Sequence, residues 1–393
     1  MQVTFIDTEE TWKQMLPISY TRPVAEVRIG ILKVSEKWAR HLSSSDTFFR
    51  SQEYLSSVFS PPKQKSLTIL GNLLPSESLV DAIKNLKEDE ALTFNGVVLA
   101  GFYEIDESFE IGNRKPVSHE EINQILHPWD IFRFNGEEIK RDYMLLTNGR
   151  QSQPIDDPHT ITYGDQIFVE EGASVKACVL NAENGPIYIG KHAEVLEGAL
   201  IRGPFALCEH SVVNMGAKIK GDSTVGPHSK VGGELSNSVI FGYSNKGHEG
   251  FLGNAVIGEW CNLGADTNNS NLKNNYTNVK MWDFATNRFK DTGLQFCGLI
   301  MGDHSKCGIN TMFNTGTTIG VSANIFGDGF PRTIIPSFAW GGSSGFTTYQ
   351  TRKAFETAEL VMTRRNKHLT EADKAVLSHI FEITAENRVW DKK

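Results

Sequence analysis

The stretch IYIGKHAEVLEGALIRGPFALCEHSVVNMGAKIKGDSTVGPHSKV (187–231) decides how this chain is read. Within it an apolar residue stands at every sixth position: Ile189, Val195, Ile201, Leu207, Val213, Ile219, Val225 and Val231. Val169 and Val175 keep the same spacing upstream; downstream it resumes at Ile257 and Leu263, then at Met301, Cys307, Phe313, Ile319 and Ile325. A period of six suits neither an amphipathic helix nor a simple alternating strand. It suits short strands that bend at each corner, each six-residue unit turning one side chain into a narrow prism. Glycine recurs beside the apolar positions, as at Gly190, Gly226, Gly258 and Gly320, where a tight corner demands backbone freedom. Such coils touch only their neighbours, so stability accumulates by repetition. The reading is a parallel β-helix of hexapeptide repeats.

A regular prism has no cleft, so the places where the period fails carry the functional weight. Two gaps stand out, SNSVIFGYSNKGHEGFLG (236–253) and an asparagine- and lysine-rich run from about Thr267 to Gly298. Both are expected to be loops leaving the coil. After Pro336 the character changes: 349–367 has helical periodicity, and Thr370 with Asp373 forms a capping-box pattern opening a second helix. The first 160 residues read as α/β, with strands at 3–7, 66–71 and 96–102, a helix at 78–87, and a helical segment at 128–146 laid against the first coils. The expected domains are 1–160, 161–345 and a helical tail over 346–393.

Composition narrows the partners. A net charge of -8 argues against nucleic acid and anionic membrane surfaces, and no apolar run is long enough to span a bilayer. The beginning of the chain lacks the basic and apolar regions of a secretory signal, and five cysteines without a CxxC pair read as reduced, buried thiols. These features point to the cytoplasm.

The first gap contains His248. A histidine titrates near neutrality and can accept a proton from an amine attacking a thioester, while Asn262, Asn271 and Asn275 offer donors and acceptors suited to sugar hydroxyls. Taken alone, such a histidine is more often a surface or structural residue. The surrounding pattern adds to this. His248, Phe251-Leu252-Gly253, Ala255-Val256-Ile257-Gly258, Asn262-Leu263-Gly264-Ala265 and Thr267 resemble the acetyltransferase domain of the bacterial bifunctional family that makes UDP-N-acetylglucosamine from glucosamine 1-phosphate. The resemblance implies a left-handed coil, a homotrimer, and acetyl-CoA as co-substrate. It implies His248 as general base, with Phe251, Asn262 and Asn271 at the sugar and Arg202 at its phosphate. Ala265 and the region of Gly308 would lie along acetyl-CoA. The sequence departs from that family at Phe251, where a tyrosine is usual, at Leu272, and at Ser236, where a lysine is expected.

The opening LPISYTRPVAEVRIGILKVSEKW (16–38) resembles sugar-1-phosphate nucleotidyltransferases at Pro17, Arg22 and Pro23. By that resemblance Arg22 or Arg28 would meet nucleotide phosphates and Asn72, in ILGNLL, would stand at a magnesium position. Yet FIDTEETWKQML carries no glycine to cradle phosphate, and Val24 replaces the family's lysine. Three readings stay open: a bifunctional acetyl- and nucleotidyl-transferase acting on a sugar phosphate, a nucleotidyltransferase whose β-helix serves assembly, and a non-enzymatic scaffold.

Overall fold

A computed structural model describes residues 2–391. Its contacts divide the chain into two compact units: one runs up to Val27 and from Leu32 to His127, the other comprises Arg28–Ile31 and Pro128 onward. The helical segment expected to lie against the coil is α4, Pro128–Thr147, and it belongs with the second unit, so the first unit ends well before the expected boundary at 160.

The first unit is an α/β layer. Strands β1 (Gln2–Ile6), β2 (Asp46–Arg50) and β3 (Ser66–Leu70) run parallel, and β4 (Glu90–Phe94), β5 (Val97–Tyr103) and β6 (Lys115–Ser118) extend the sheet in the order β2-β1-β3-β5-β4-β6. Strand β3, parallel to β1 and antiparallel to β5, is buried at every position, as befits a central strand of the sheet. Short helices α1 (Glu9–Gln14), α2 (Val34–His41) and α3 (Glu77–Lys84) complete it.

The second unit is a parallel β-solenoid of about ten turns. Each of three faces carries one inward ladder. The first stacks Val169, Ile189, Leu207, Val225, Ile240, Ile257, Met301, Ile319 and Ile335. The second stacks Val175, Val195, Val213, Val231, Lys246, Leu263, Cys307 and Ile325. The third runs from Leu180 through Ile201, Ile219 and Leu235 to Leu252. Every apolar residue that the period of six singled out lies in this core, none more than 7% exposed. Burial on that scale contributes roughly 1.5–3 kcal/mol for each large aliphatic.

The first gap is not a loop. The coil runs straight through it on strands Glu234–Ser236, Val239–Ile240, Asn245–Lys246 and Phe251–Gly253. The period faltered because three steps are shorter than six residues (Val231 to Leu235, Leu235 to Ile240 and Leu252 to Ile257) and because the inward residue of one strand is a lysine. The second gap does leave the coil, as an antiparallel hairpin, Lys280–Asp283 with Arg288–Asp291. Asn269, 3% exposed, holds the coil at its base by bonding Gly253 through both its oxygen and its amide nitrogen, at 2.8 and 2.9 Å.

One corner carries a stack that no hydropathy period reveals: His192, His210, His228, Tyr243, Trp260 and His304, with rings 4.1–6.4 Å apart. Each has φ between 54° and 60°, a left-handed conformation that disfavours side chains. Stacking from coil to coil offsets that strain.

Helix α4 and the strap Arg28–Ile31 are clasped to the coil. Gly30 N donates to Asn135 Oδ1 at 2.7 Å, Ile31 N to Asp142 Oδ2 at 2.8 Å, and Thr224 Oγ1 to Gly30 O at 2.9 Å. Gly30 has φ of 72°, and a Cβ there would meet Asp142 Oδ2 at 2.5 Å and the Glu138 backbone at 2.8 Å, so only glycine fits. At the C-terminus α5 (Thr351–Thr363) is followed by α6 (Glu371–Ile383), with the Thr370–Asp373 capping box formed as read. Among the described residues no helix is long and apolar enough to cross a membrane.

Candidate functional site

Four glycines define one corner of the coil: Gly232, Gly247, Gly264 and Gly308. Each directly follows an inward residue of the second face (Val231, Lys246, Leu263, Cys307). The backbones there pass too closely for side chains. A Cβ on Gly232 would lie 2.5 Å from Gly247 O, and one on Gly264 would lie 2.4 Å from Gly308. His248 sits on this corner, in the turn between strands Asn245–Lys246 and Phe251–Gly253. It is exposed, and its imidazole has no hydrogen-bond partner among the described residues. Ala265 is one coil on, bonded through its carbonyl to Asn310 N at 2.7 Å, with Gly308 beside Gly264. The expected base and the two positions expected along acetyl-CoA therefore occupy one corner of three successive coils.

The corner opens onto the third face. Phe251 and Asn271 meet around Gly253, where a Cβ would lie 2.4 Å from the Phe251 ring and 2.8 Å from Asn271 Nδ2. Asn271 is held by Asn254 Oδ1 at 2.8 Å. Asn262 is exposed on the neighbouring second face, paired with Asn245. Arg202 is exposed on the third face, three strands from Phe251, or about 14 Å at ordinary strand spacing. Its guanidinium makes no hydrogen bond or ion pair among the described residues. Between them lie Lys218 and Lys220, paired with Glu249 at 3.7 Å and Glu234 at 2.6 Å. Lys220 stands opposite Ser236 on the neighbouring strand.

Sequence reasoning passed over Lys246. It is 2% exposed and its ammonium donates to Gly232 O at 3.3 Å, to Glu249 O at 2.9 Å, and to His248 O. Burial lowers its pKa to about 8. A signal was present: Ser244-Asn245-Lys246-Gly247 repeats the frame of Ser229-Lys230-Val231-Gly232, which places the lysine inward.

In the first unit the strand ends differ in kind. Asp7 follows β1, Ser51 follows β2, and Gly71 and Asn72 follow β3, the edge where open α/β sheets bind ligands. Asp7 Oδ2 accepts from Val24 N at 3.0 Å and Ser51 Oγ at 2.6 Å, while its Oδ1 has no partner; burial raises its pKa to about 6. Asn72, 1% exposed, donates to Ile125 O at 3.1 Å and leaves Oδ1 unpartnered. Arg22 is 4% exposed. Arg28 is spent in the strap of the second unit, donating to Ile31 O and, at 3.8 Å, to Cys208 Sγ, so it is not a free cation for phosphate. The turn after β1 opens α1 with Glu9 and Glu10 in its first turn, charges that repel phosphate. A cavity of about 390 Å³ lies nearby, lined by Pro23, Arg50, Ser51 and Gln52 among others. Among the described residues no three His, Cys, Asp or Glu group as a metal site.

Residues 3–151 match a sugar nucleotidyl transferase family. Over 65% of its length the chain is similar to bifunctional GlmU proteins. It is 27% identical over 265 residues to the one from Methanococcus maripaludis strain S2, covering 65% of this chain and 52% of that protein. It is 28% identical over 271 residues to that of Methanococcus vannielii, covering 65% and 51%. A third, from Methanocaldococcus jannaschii, is 32% identical over 87 residues, 22% of this chain and 21% of that protein. The chain thus spans about half the length of the curated relatives it matches. The solved structure of Arabidopsis UDP-N-acetylglucosamine acyltransferase covers 59% of this chain and 93% of its own at 11% identity and a TM-score of 0.30, too distant a likeness to carry an argument.

Proposed function

We propose that the coil transfers an acetyl group from acetyl-CoA to the amine of an amino-sugar phosphate, with His248 as general base. The observation that carries this reading is the corner itself: an exposed, unengaged imidazole on a column of glycines, beside Ala265 and Gly308. The amine nitrogen attacks the thioester carbonyl, a C–N bond forms and the C–S bond breaks. His248 takes the proton that the amine loses and returns it to the departing thiolate. Asn262 and Asn271 hold sugar hydroxyls, Phe251 offers a ring face, and Arg202 with Lys220 receives the phosphate. Neighbouring subunits of a homotrimer would complete the acyl-CoA groove. The test is thiol release from acetyl-CoA in the presence of glucosamine 1-phosphate. Release by the wild type that is lost in His248→Ala supports the proposal; equal release from both, or none from wild type, overturns it.

A second reading, nucleotidyl transfer to a sugar 1-phosphate, draws on the family match of residues 3–151. A magnesium ion there would meet Asp7 Oδ1 and Asn72 Oδ1, a donor pair that suits an ion carried in mostly on nucleotide phosphates. Bound, it would neutralise phosphate charge. Against this reading stand the glycine-free turn and the acidic start of α1. Pyrophosphate release from any nucleoside triphosphate with a sugar 1-phosphate tests it; silence with all four nucleotides leaves this unit a packing domain.

A further inference from the structure

The second face of the coil sets a rule that one residue breaks. Val213, Val231, Leu263 and Cys307 point inward at equivalent positions, and Lys246 takes the same place between Val231 and Leu263. Valine, leucine and cysteine fill that position in other coils, so the prism does not require a lysine. A buried cation is costly to desolvate and is retained only where its donors are satisfied. Here all three are, by the carbonyls of Gly232, His248 and Glu249.

Those carbonyls indicate the purpose. The turn Gly247-His248-Glu249-Gly250 is flanked by glycines and has little stiffness of its own, and Gly250 sits at φ of 113°. Asn214 Nδ2 fixes its first carbonyl at 2.7 Å, Lys246 holds the next two from inside the coil, and Asp266 N adds a bond to the last of these, Glu249 O, at 3.0 Å. With these carbonyls drawn inward, the His248 side chain on the same turn is left exposed. We propose that Lys246 is a positioning residue for His248, a cation inside the coil that holds the 247–250 turn so the ring is presented on the glycine corner. This rests on the acetyl-transfer reading for its purpose, though not for its physical consequence.

The groups around the ammonium are Glu249, Asp266 and the Cys307 thiol, all of which favour its charged form, while burial opposes it more strongly. Lys218 partly offsets Glu249, and the Lys306 ammonium is turned away onto His304 O at 2.8 Å. The clasp therefore holds at neutral pH and weakens as pH rises through about 8.

The test compares wild type with Lys246→Met, which fills the space and removes the donors. The variant is expected to fold and melt close to wild type. Its amides at 247–251 should exchange about tenfold faster, since the turn opens locally without global unfolding. If thiol release is active, kcat falls about tenfold while KM for acetyl-CoA holds, the pattern of a displaced base. In wild type the His248 ring signal in NMR should broaden above about pH 8, and this decides the matter even if the variant fails to fold. Unchanged exchange in the variant, or a His248 signal indifferent to pH across 8, overturns the proposal. Absence of thiol release from wild type would sink acetyl transfer and leave the exchange and NMR results to decide the role of Lys246.

Discussion

The glycine corner of the coil and the strand ends of the first unit each gather polar residues, and they do opposite things with them. At the corner, side chains are stripped away and one titratable ring is left exposed and unengaged. At the strand ends the titratable group, Asp7, is tucked in, half satisfied, and fronted by Glu9 and Glu10. The first arrangement leaves room and a free base; the second leaves an uncomfortable carboxylate and no cradle. Reading function from residue type alone would treat the two as equals. Access and hydrogen-bond satisfaction separate them.

The sharpest break would come from His248→Ala. If the corner is a catalytic site, acetyl transfer falls about 10²- to 10⁴-fold, measured as thiol release, with melting little changed because the residue is exposed. Next comes Ile257→Ala, inside the first-face ladder at 0% exposure, which should cost about 2–5 kcal/mol in denaturant unfolding. That loss must track the coil alone; an equal loss of order in the first unit would blur the comparison. Arg202→Ala should raise KM for the sugar phosphate about tenfold, or about 1.4 kcal/mol, with little change in kcat. The smallest effect belongs to the strand ends. Asp7 has its folded pKa raised, so its buried charge penalises folding above pH 6, and the penalty fades as pH falls from 6 towards 4. Asp7→Asn should therefore stabilise the chain by about 1 kcal/mol at pH 7 and by nothing at pH 4. A destabilised Asp7→Asn chain would mean that the carboxylate serves something beyond packing.

The coil was legible in the sequence because its selection rule is one-dimensional. Each coil must put an aliphatic inward at a fixed interval, and Ile189 through Val231 do so without exception. The rule failed where corners shorten and where Lys246 and Asn269 face inward, since hydropathy cannot distinguish a satisfied buried polar group from a solvated one. The ring stack from His192 to His304 was hidden for a related reason: it depends on backbone φ at corners, not on burial. Arg28 was misjudged because its motif suggested phosphate, whereas the strap around Gly30 commits it to the coil. His248, Ala265 and Gly308 could be named in advance, but their shared corner came from the stacking of coils, which no local spacing states.

The central claim is that the glycine corner at His248 is the acyl-CoA site. A crystal structure of the chain soaked with CoA tests it most directly. The account predicts the thiol end beside the His248 imidazole, with the chain of the ligand along Ala265 and Gly308. CoA settled instead in the cavity of about 820 Å³ lined by Trp282, Phe289, Arg332 and Trp390, with the corner empty, would contradict it.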